Sequence, residues 1–312
     1  MSLLIQYTLL FASVLALVAL GGCFSEHSGV INLGLEGIMV IGALGGALTM
    51  KSMGSAPAAV TVLVVLLVSA LSGMAYAVLL AVACINFSAD QTLVGTALNI
   101  LATAAATVIV KAINMAENPD NVSATVKYVE AKKDFVVNIG SFQFNWFMLV
   151  ALIALIAAYI ILYKTRFGLR LMACGENPSA ADSVGINVFK MRWAGVMISG
   201  FLGGIGGIVY ITAGVSEWKF ETGVAGFGFL ALAVMIFGSW KPVNIGFAAL
   251  LFGFFRALSN VYSGFDWLAA LNIPGTVYNM FPYIISLLVL AFTSKNSRAP
   301  KSEGIPYDKS LR

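Results

Sequence analysis

Charge is what this sequence has least of. Only 10% of its 312 residues are Asp, Glu, Lys or Arg, where soluble domains carry about 25%, and 60% are hydrophobic. A mean hydropathy of +0.92 makes lipid, not water, the expected solvent for most of the chain. Histidine is nearly missing as well: His27 is the single imidazole, too little for a metal centre, a His-based general base or a Ser–His–Asp triad. Cys23, Cys84 and Cys174 are odd in number and widely spaced, which suggests neither a disulfide framework nor a zinc site. No Gly-rich loop opens a helix in the way that cradles phosphate. No catalytic residue, metal or cofactor is therefore expected, and any chemistry is expected on another chain.

What is present is a series of long uncharged runs. Crossing a bilayer as helix takes about 20 apolar residues, and the gaps between charges place spans near 3–21, 30–50, 57–85, 91–111, 143–163, 191–213, 223–239, 244–262 and 275–294. The expected fold is all-α: a polytopic transmembrane bundle of about nine spans, forming one transmembrane domain over 1–312. Basic residues set the orientation. The segment 164–192 holds Lys164, Arg166, Arg170, Lys190 and Arg192 against Glu176 and Asp182, and the tail from 295 to 312 holds Lys295, Arg298, Lys301, Lys309 and Arg312. Both are expected in the cytoplasm. An odd span count then leaves the N-terminus outside, together with the charge-balanced loop 112–142.

Two stretches, 26–35 and 88–94, are rich in Gly, Ser and polar side chains, and are candidates for unwound pieces inside a protein-lined cavity. The sequence Leu20-Gly21-Gly22-Cys23 has the look of a lipoprotein cleavage site, but no basic residue precedes it, so no cleaved signal is expected. Small-residue stripes such as Gly42, Gly45, Gly46 and Gly200, Gly203, Gly204, Gly206, Gly207 suit close helix approach in lipid. The longest polar stretches, about 30 residues, are too short for an ATPase core.

The segment 164–190 is the most informative. Asn177 is a good N-cap, Pro178 suits the first helical position, Ser179 to Val184 make about two turns, and Gly185 suits the stop. So short a helix has too little apolar face to fold alone; it is either a structural turn or an element docked in a groove.

Here the residues carry a resemblance. The run Gly175-Glu176-Asn177-Pro178-Ser179-Ala180-Ala181-Asp182-Ser183-Val184-Gly185-Ile186 resembles the coupling loop of the ribose and branched-chain amino acid type permeases of bacterial ABC importers. The stretch Ser28-Gly29-Val30-Ile31-Asn32-Leu33-Gly34-Leu35-Glu36-Gly37-Ile38-Met39 is similar to an early membrane segment of that family, especially of its nucleoside-import branch. The stretches 89–95, 228–242 and 304–309 resemble the same branch. The resemblance covers nearly the whole chain and implies a permease subunit in the cell membrane. Its coupling residues are then Asn177, Pro178, Ala180, Ala181 and Gly185, with Ala181 facing the ATPase groove. It further implies a separate cytoplasmic ATPase that binds the ATP, an extracellular substrate-binding lipoprotein, and a nucleoside as cargo. Sugar permeases of the family begin with an additional span, and the shorter form here is similar to one of two unlike permeases that pair as a heterodimer.

Polar groups at membrane depth are costly, about 2.5–3.5 kcal/mol for a mid-span charge, and therefore mark candidate pathway residues. Glu36 and Asn32 stand one turn apart, as do, two turns apart, Gln91 and Asn99. Their amides and carboxylate suit ribose hydroxyls and a base edge, with Phe24 or Phe227 as a stacking surface. Glu36 equally suits a neighbouring helix terminus or the open hydrogen bonds of a broken helix. Arg256 is expected to bond Glu217, Glu221 or Asp266 near the outer face, and Trp146, Trp218 and Trp267 to sit at interfaces. Two other readings stand beside the nucleoside permease: an ABC permease for simple sugars or branched-chain amino acids, and a proton-coupled secondary transporter with Glu36, Asp90 and His27 as its relay.

Overall fold

A computed structural model describes residues 2–53, 56–128, 134–139, 142–213, 217–264, 277–278, 280–281, 283–285, 287 and 299–309. It is a helical bundle. Helix α1 (Ser2–His27) is apolar on every side and buried from Leu10 to Glu26, so it serves as the central post. The chain then runs without helix through 28–34 into α2 (Leu35–Ser52), turns, and continues as α3 (Ala58–Ala81), whose end widens into a π-helical turn at Val82–Asn86. Asp90 caps α4 (Gln91–Glu117) by accepting the Leu93 N–H at 2.8 Å. Three short strands follow, β1 (Thr125–Lys127), β2 (Val136–Ile139) and β3 (Phe142–Asn145), and then α5 (Trp146–Lys164).

Two helices lie beyond the bundle, α6 (Arg166–Glu176) and α7 (Pro178–Ser183), before α8 (Val188–Thr212) re-enters it. Strand β4 (Glu217–Lys219) pairs antiparallel with β1, tying the 112–142 loop to the end of α8, while β2 and β3 form a separate hairpin. A 3-10 turn at Phe220–Thr222 leads to α9 (Phe227–Phe237) and α10 (Pro242–Val261).

α1 packs on α8 and α10, and α8 on α2 and α3. The glycines of α8 make that possible. A methyl group at Gly207 would strike the Met39 carbonyl oxygen, and one at Gly42 would strike the backbone of Gly204, so helices meet backbone to backbone, as packing in lipid favours.

Six helices among the described residues are long and apolar enough to cross a membrane: α1, α3 with its π-turn, α4, α5, α8 and α10. The protein is a multi-pass membrane protein. Two of the other expected spans take a different form. The expected span at 30–50 begins as a helix only at Leu35, carries Glu36 in its first turn and follows the non-helical 28–34. The span expected at 223–239 is a helix of only 11 residues, about 16 Å long. The residues before it are irregular because Gly223, Ala225 and Gly226 adopt φ of +58°, +53° and +81°, which stops a helix from forming before Phe227. The expected span at 275–294 lies mostly outside the described residues.

The elements sort into two ends. At one lie the strands, β1 with its partner β4 beside the end of α4, and β3 against α1 and α5. At the other, the tail 299–309 lies on α6 and α7: Ser302 N–H donates to the Gly175 carbonyl at 2.8 Å, and Tyr307 Oη–H donates to Asp182 at 2.9 Å. The Gly304 N–H reaches the Gly29 carbonyl at 3.3 Å, so the tail also touches the bend between α1 and α2.

Candidate functional site

The non-helical segment 28–34 leaves backbone groups open within the bundle, where each must find a partner. Three of the four expected pathway residues supply those partners. Gln91 Oε1 accepts the Ile31 N–H at 2.6 Å. Asn32 is fully buried; its Oδ1 accepts the Gly34 N–H at 3.1 Å and its Nδ2 donates to Ser199 Oγ at 2.8 Å. Asn99 on α4 accepts the Gly37 N–H at 2.8 Å and donates to the Leu33 carbonyl at 2.9 Å, closing the first turn of α2.

The fourth residue braces a second break. Glu36 takes the Gly226 N–H on Oε1 at 2.8 Å and the Gly228 N–H on Oε2 at 2.7 Å. These are orphan donors at the start of α9, where a helix dipole is positive. The carboxylate caps α9 from another helix, and its charge meets the only kind of partner that a membrane interior offers cheaply. The four residues thus hold one structure together, the paired breaks of α1–α2 and α9.

Beside them opens a groove of about 850 Å³ between α4 and α9. Glu36 and Asn99 lie at its inner part, Thr96, Thr103 and Thr107 run along its α4 wall, and Phe229 and Glu221 complete it. Glu221 is ion-paired with Lys111 at 2.7 Å. The sequence reading named Phe24 and Phe227 for stacking, but both are 2% exposed in the core, whereas Phe229 is 47% exposed. The missed signal was the spacing 96, 99, 103, 107, which places Asn99 and the threonines on one face of α4. A second crevice, of about 800 Å³ between α1, α5 and α10, is walled by residues such as Met148, Leu152 and Phe247 and offers almost no polar recognition.

Arg256 does not meet Glu221. Its guanidinium lies over the rings of Phe227 at 5.3 Å and Phe11 at 5.9 Å and bonds Tyr210. Asp266 and Trp267 lie outside the described residues. The three groups of the proton-relay reading are each held by a different partner: Glu36 by α9, Asp90 by the α4 terminus, and a His27 ring nitrogen 2.9 Å from the Trp240 carbonyl. Among the described residues no three His, Cys, Asp or Glu side chains gather in a metal-binding group.

At the end that carries the tail, α7 forms as its residues suggest. Asn177 Oδ1 accepts the Ala180 N–H at 3.0 Å, Pro178 occupies the first turn, and Gly185, with φ of +84°, closes the helix. One orientation differs from expectation. Ala181 is 4% exposed and packs with Cys174, Val188 and Tyr307, so it anchors α7 to the protein instead of facing outward. The outward face consists of Ser179, Ala180, Ser183 and Val184, the last 75% exposed. The reason is the cover on that side: Cys174, Val188 and Tyr307 pack there, and Ala181 is the small residue that lets α7 lie close to them.

A multi-pass bundle with broken helices beside a groove that carries a few polar groups, and a capped helix beyond the spans, is the architecture of a transport subunit. The chain belongs to the family described as "Branched-chain amino acid transport system / permease component", which matches residues 4–290. It is a permease subunit, and its work is transport, not catalysis. It is 40% identical over 317 residues to the "Guanosine ABC transporter permease protein NupQ" of Bacillus subtilis, covering 100% of this chain and 98% of that protein. It is 37% identical to the "Nucleoside ABC transporter permease protein NupC" of Lactococcus lactis, covering 99% and 98%. A second permease of that organism, the "Nucleoside ABC transporter permease protein NupB", is 31% identical over 138 residues, covering 43% of this chain and 38% of its own length. No solved structure matches the chain significantly.

Proposed function

We propose that the chain is one permease of an ATP-driven nucleoside importer in the bacterial cell membrane. The observation that carries this reading is its similarity, over essentially the full length, to two permeases named for guanosine and nucleoside transport. The capped α7 supports coupling to a cytoplasmic ATPase, which binds and hydrolyses the ATP; Asn177, Pro178 and Gly185 shape that helix, Ala181 seats it, and Ala180 belongs to its docking face. A substrate-binding lipoprotein delivers the nucleoside from outside. The partial likeness to NupB, from the organism that also has NupC, supports a partner permease unlike this one.

In this reading α6, α7 and the tail lie in the cytoplasm, consistent with the basic residues of 164–192 and 295–312. ATPase closure moves α7, and α6 and the tail carry the motion to the bend at 28–34. Asn32, Glu36, Gln91 and Asn99 hold the pathway wall in shape. Cells that express the chain with its partner subunits should accumulate labelled guanosine, and unlabelled nucleosides should compete while ribose and leucine do not. Competition by ribose or leucine alone would reassign the cargo.

A further inference from the structure

The α4 wall of the groove is largely apolar, with Ile100, Ala104 and Val108, and its polar groups besides Asn99 are the hydroxyls of Thr96, Thr103 and Thr107. Each threonine spends its one hydroxyl proton on a backbone carbonyl of its own helix: Thr96 on Thr92 at 3.0 Å, Thr103 on Asn99 at 3.3 Å, and Thr107 on Thr103 at 2.8 Å. What remains on each Oγ1 is acceptor capacity. The Glu36 and Glu221 carboxylates edge the wall with negative charge, Glu36 holding the Gly226 and Gly228 N–H groups and Glu221 holding Lys111, which is not among the groove's lining residues.

The wall is also long and placed at membrane depth. Thr96 and Thr107 are 11 residues apart, about 16 Å along α4, roughly half the hydrocarbon thickness of about 30 Å. A carboxylate-edged row of hydroxyls is poorly suited to lipid, which favours an aqueous path closed on its open side by the partner permease. Phe229, 47% exposed across the groove, supplies a flat apolar surface.

We propose that Thr96, Thr103 and Thr107, with Phe229 opposite, are the selectivity surface of the pathway, which accepts hydrogen bonds from the sugar hydroxyls of an uncharged ribonucleoside and disfavours its phosphate esters. This rests on the nucleoside reading and deepens it. A ribose is rich in O–H donors that match an acceptor wall. A phosphate is an anion with acceptors only; it meets carboxylates, and Lys111, the cation beside the groove, is already engaged by Glu221 at 2.7 Å.

The test compares three labelled probes, adenosine, 2′,3′-dideoxyadenosine and AMP, taken up by the complete transporter carrying Thr103→Val or Thr107→Val. Valine keeps the shape of threonine and removes the oxygen. Each lost hydrogen bond is worth about two- to tenfold, so the ratio of adenosine to dideoxyadenosine uptake should fall by about that factor, and Thr103→Ser should restore it. A purely structural role would lower both probes together. Equal loss of both probes, an unchanged ratio, or wild-type uptake of AMP at the rate of adenosine would overturn the inference while leaving nucleoside import intact. A wild-type transporter that carries no nucleoside at all would overturn the import reading, and this inference with it.

Discussion

The carboxylate of Glu36 caps a helix that begins 191 residues later, at Phe227, accepting the Gly228 N–H at 2.7 Å. No side chain beyond hydrogen fits at Gly228, because a methyl group would lie 2.5 Å from the Glu36 backbone nitrogen. The two residues join the start of α2 to the start of α9, and both breaks in the bundle depend on that joint.

Glu36→Gln should weaken it. The amide keeps one acceptor but turns an NH2 toward a backbone N–H, leaving a buried donor unpaired at a cost of about 1–3 kcal/mol. The melting temperature of the purified complex should fall, and uptake of purine and pyrimidine nucleosides should fall in the same proportion. Asn32→Ala, which strands the Gly34 N–H, should behave alike. A change in the preference among nucleosides, with stability unaltered, would assign these residues to substrate contact.

The two sides of α7 should respond differently to substitution. Val184→Asp places a charge on the exposed face and should leave the permease folded while reducing copurification with the ATPase by at least tenfold. Ala181→Arg forces a long cation into the contact with Cys174, Val188 and Tyr307, and should destabilise α7 and loosen the tail. Full ATPase binding by the Val184 variant would place the docking surface elsewhere.

Acid should tighten the tail. Burial pushes the Glu303 carboxyl up to about 7, against an ordinary 4.5, although its bond to Glu26 acts in the opposite direction. A carboxyl with a raised value binds its proton more tightly in the docked state, so docking is fully stabilised below about pH 4.5 and weakens as pH rises through about 7. Hydrogen exchange of the amides of 302–307, corrected for intrinsic rates, should show less protection at pH 8 than at pH 5.5. Glu303→Gln should flatten that difference; an unchanged difference would refute the assignment.

Sidedness is open to direct labelling. With Cys23, Cys84 and Cys174 replaced, single cysteines at Ser179 and Asn121 should react with a membrane-impermeant thiol reagent from opposite faces, Asn121 from outside. Reaction of both from outside would reject the topology.

Most of the spans were legible in the sequence because burial in lipid demands unbroken apolar runs, and charge gaps mark their ends. The half-length of α9 was not. Thr222 to Trp240 is uncharged throughout, and positive-φ backbone at Gly223, Ala225 and Gly226 before the helix, and at Ser239 and Trp240 after it, shortens the helix. Glu36, Asn32, Gln91 and Asn99 stood out as polar groups at depth, but an amide that binds a sugar and one that binds a backbone look identical in a sequence. Their partners, such as Ser199 for Asn32, lie far along the chain. Ala181 was misjudged in orientation because the tail that covers it, through Tyr307, is remote in sequence.

The central claim is that ATP, through α7, drives nucleosides across this permease. Proteoliposomes holding the complete complex, with the binding protein outside and a protonophore present, measure it most directly. Adenosine should accumulate only when ATP is supplied on the α7 side. Accumulation driven without ATP by an imposed proton gradient, with the protonophore left out, would contradict the account.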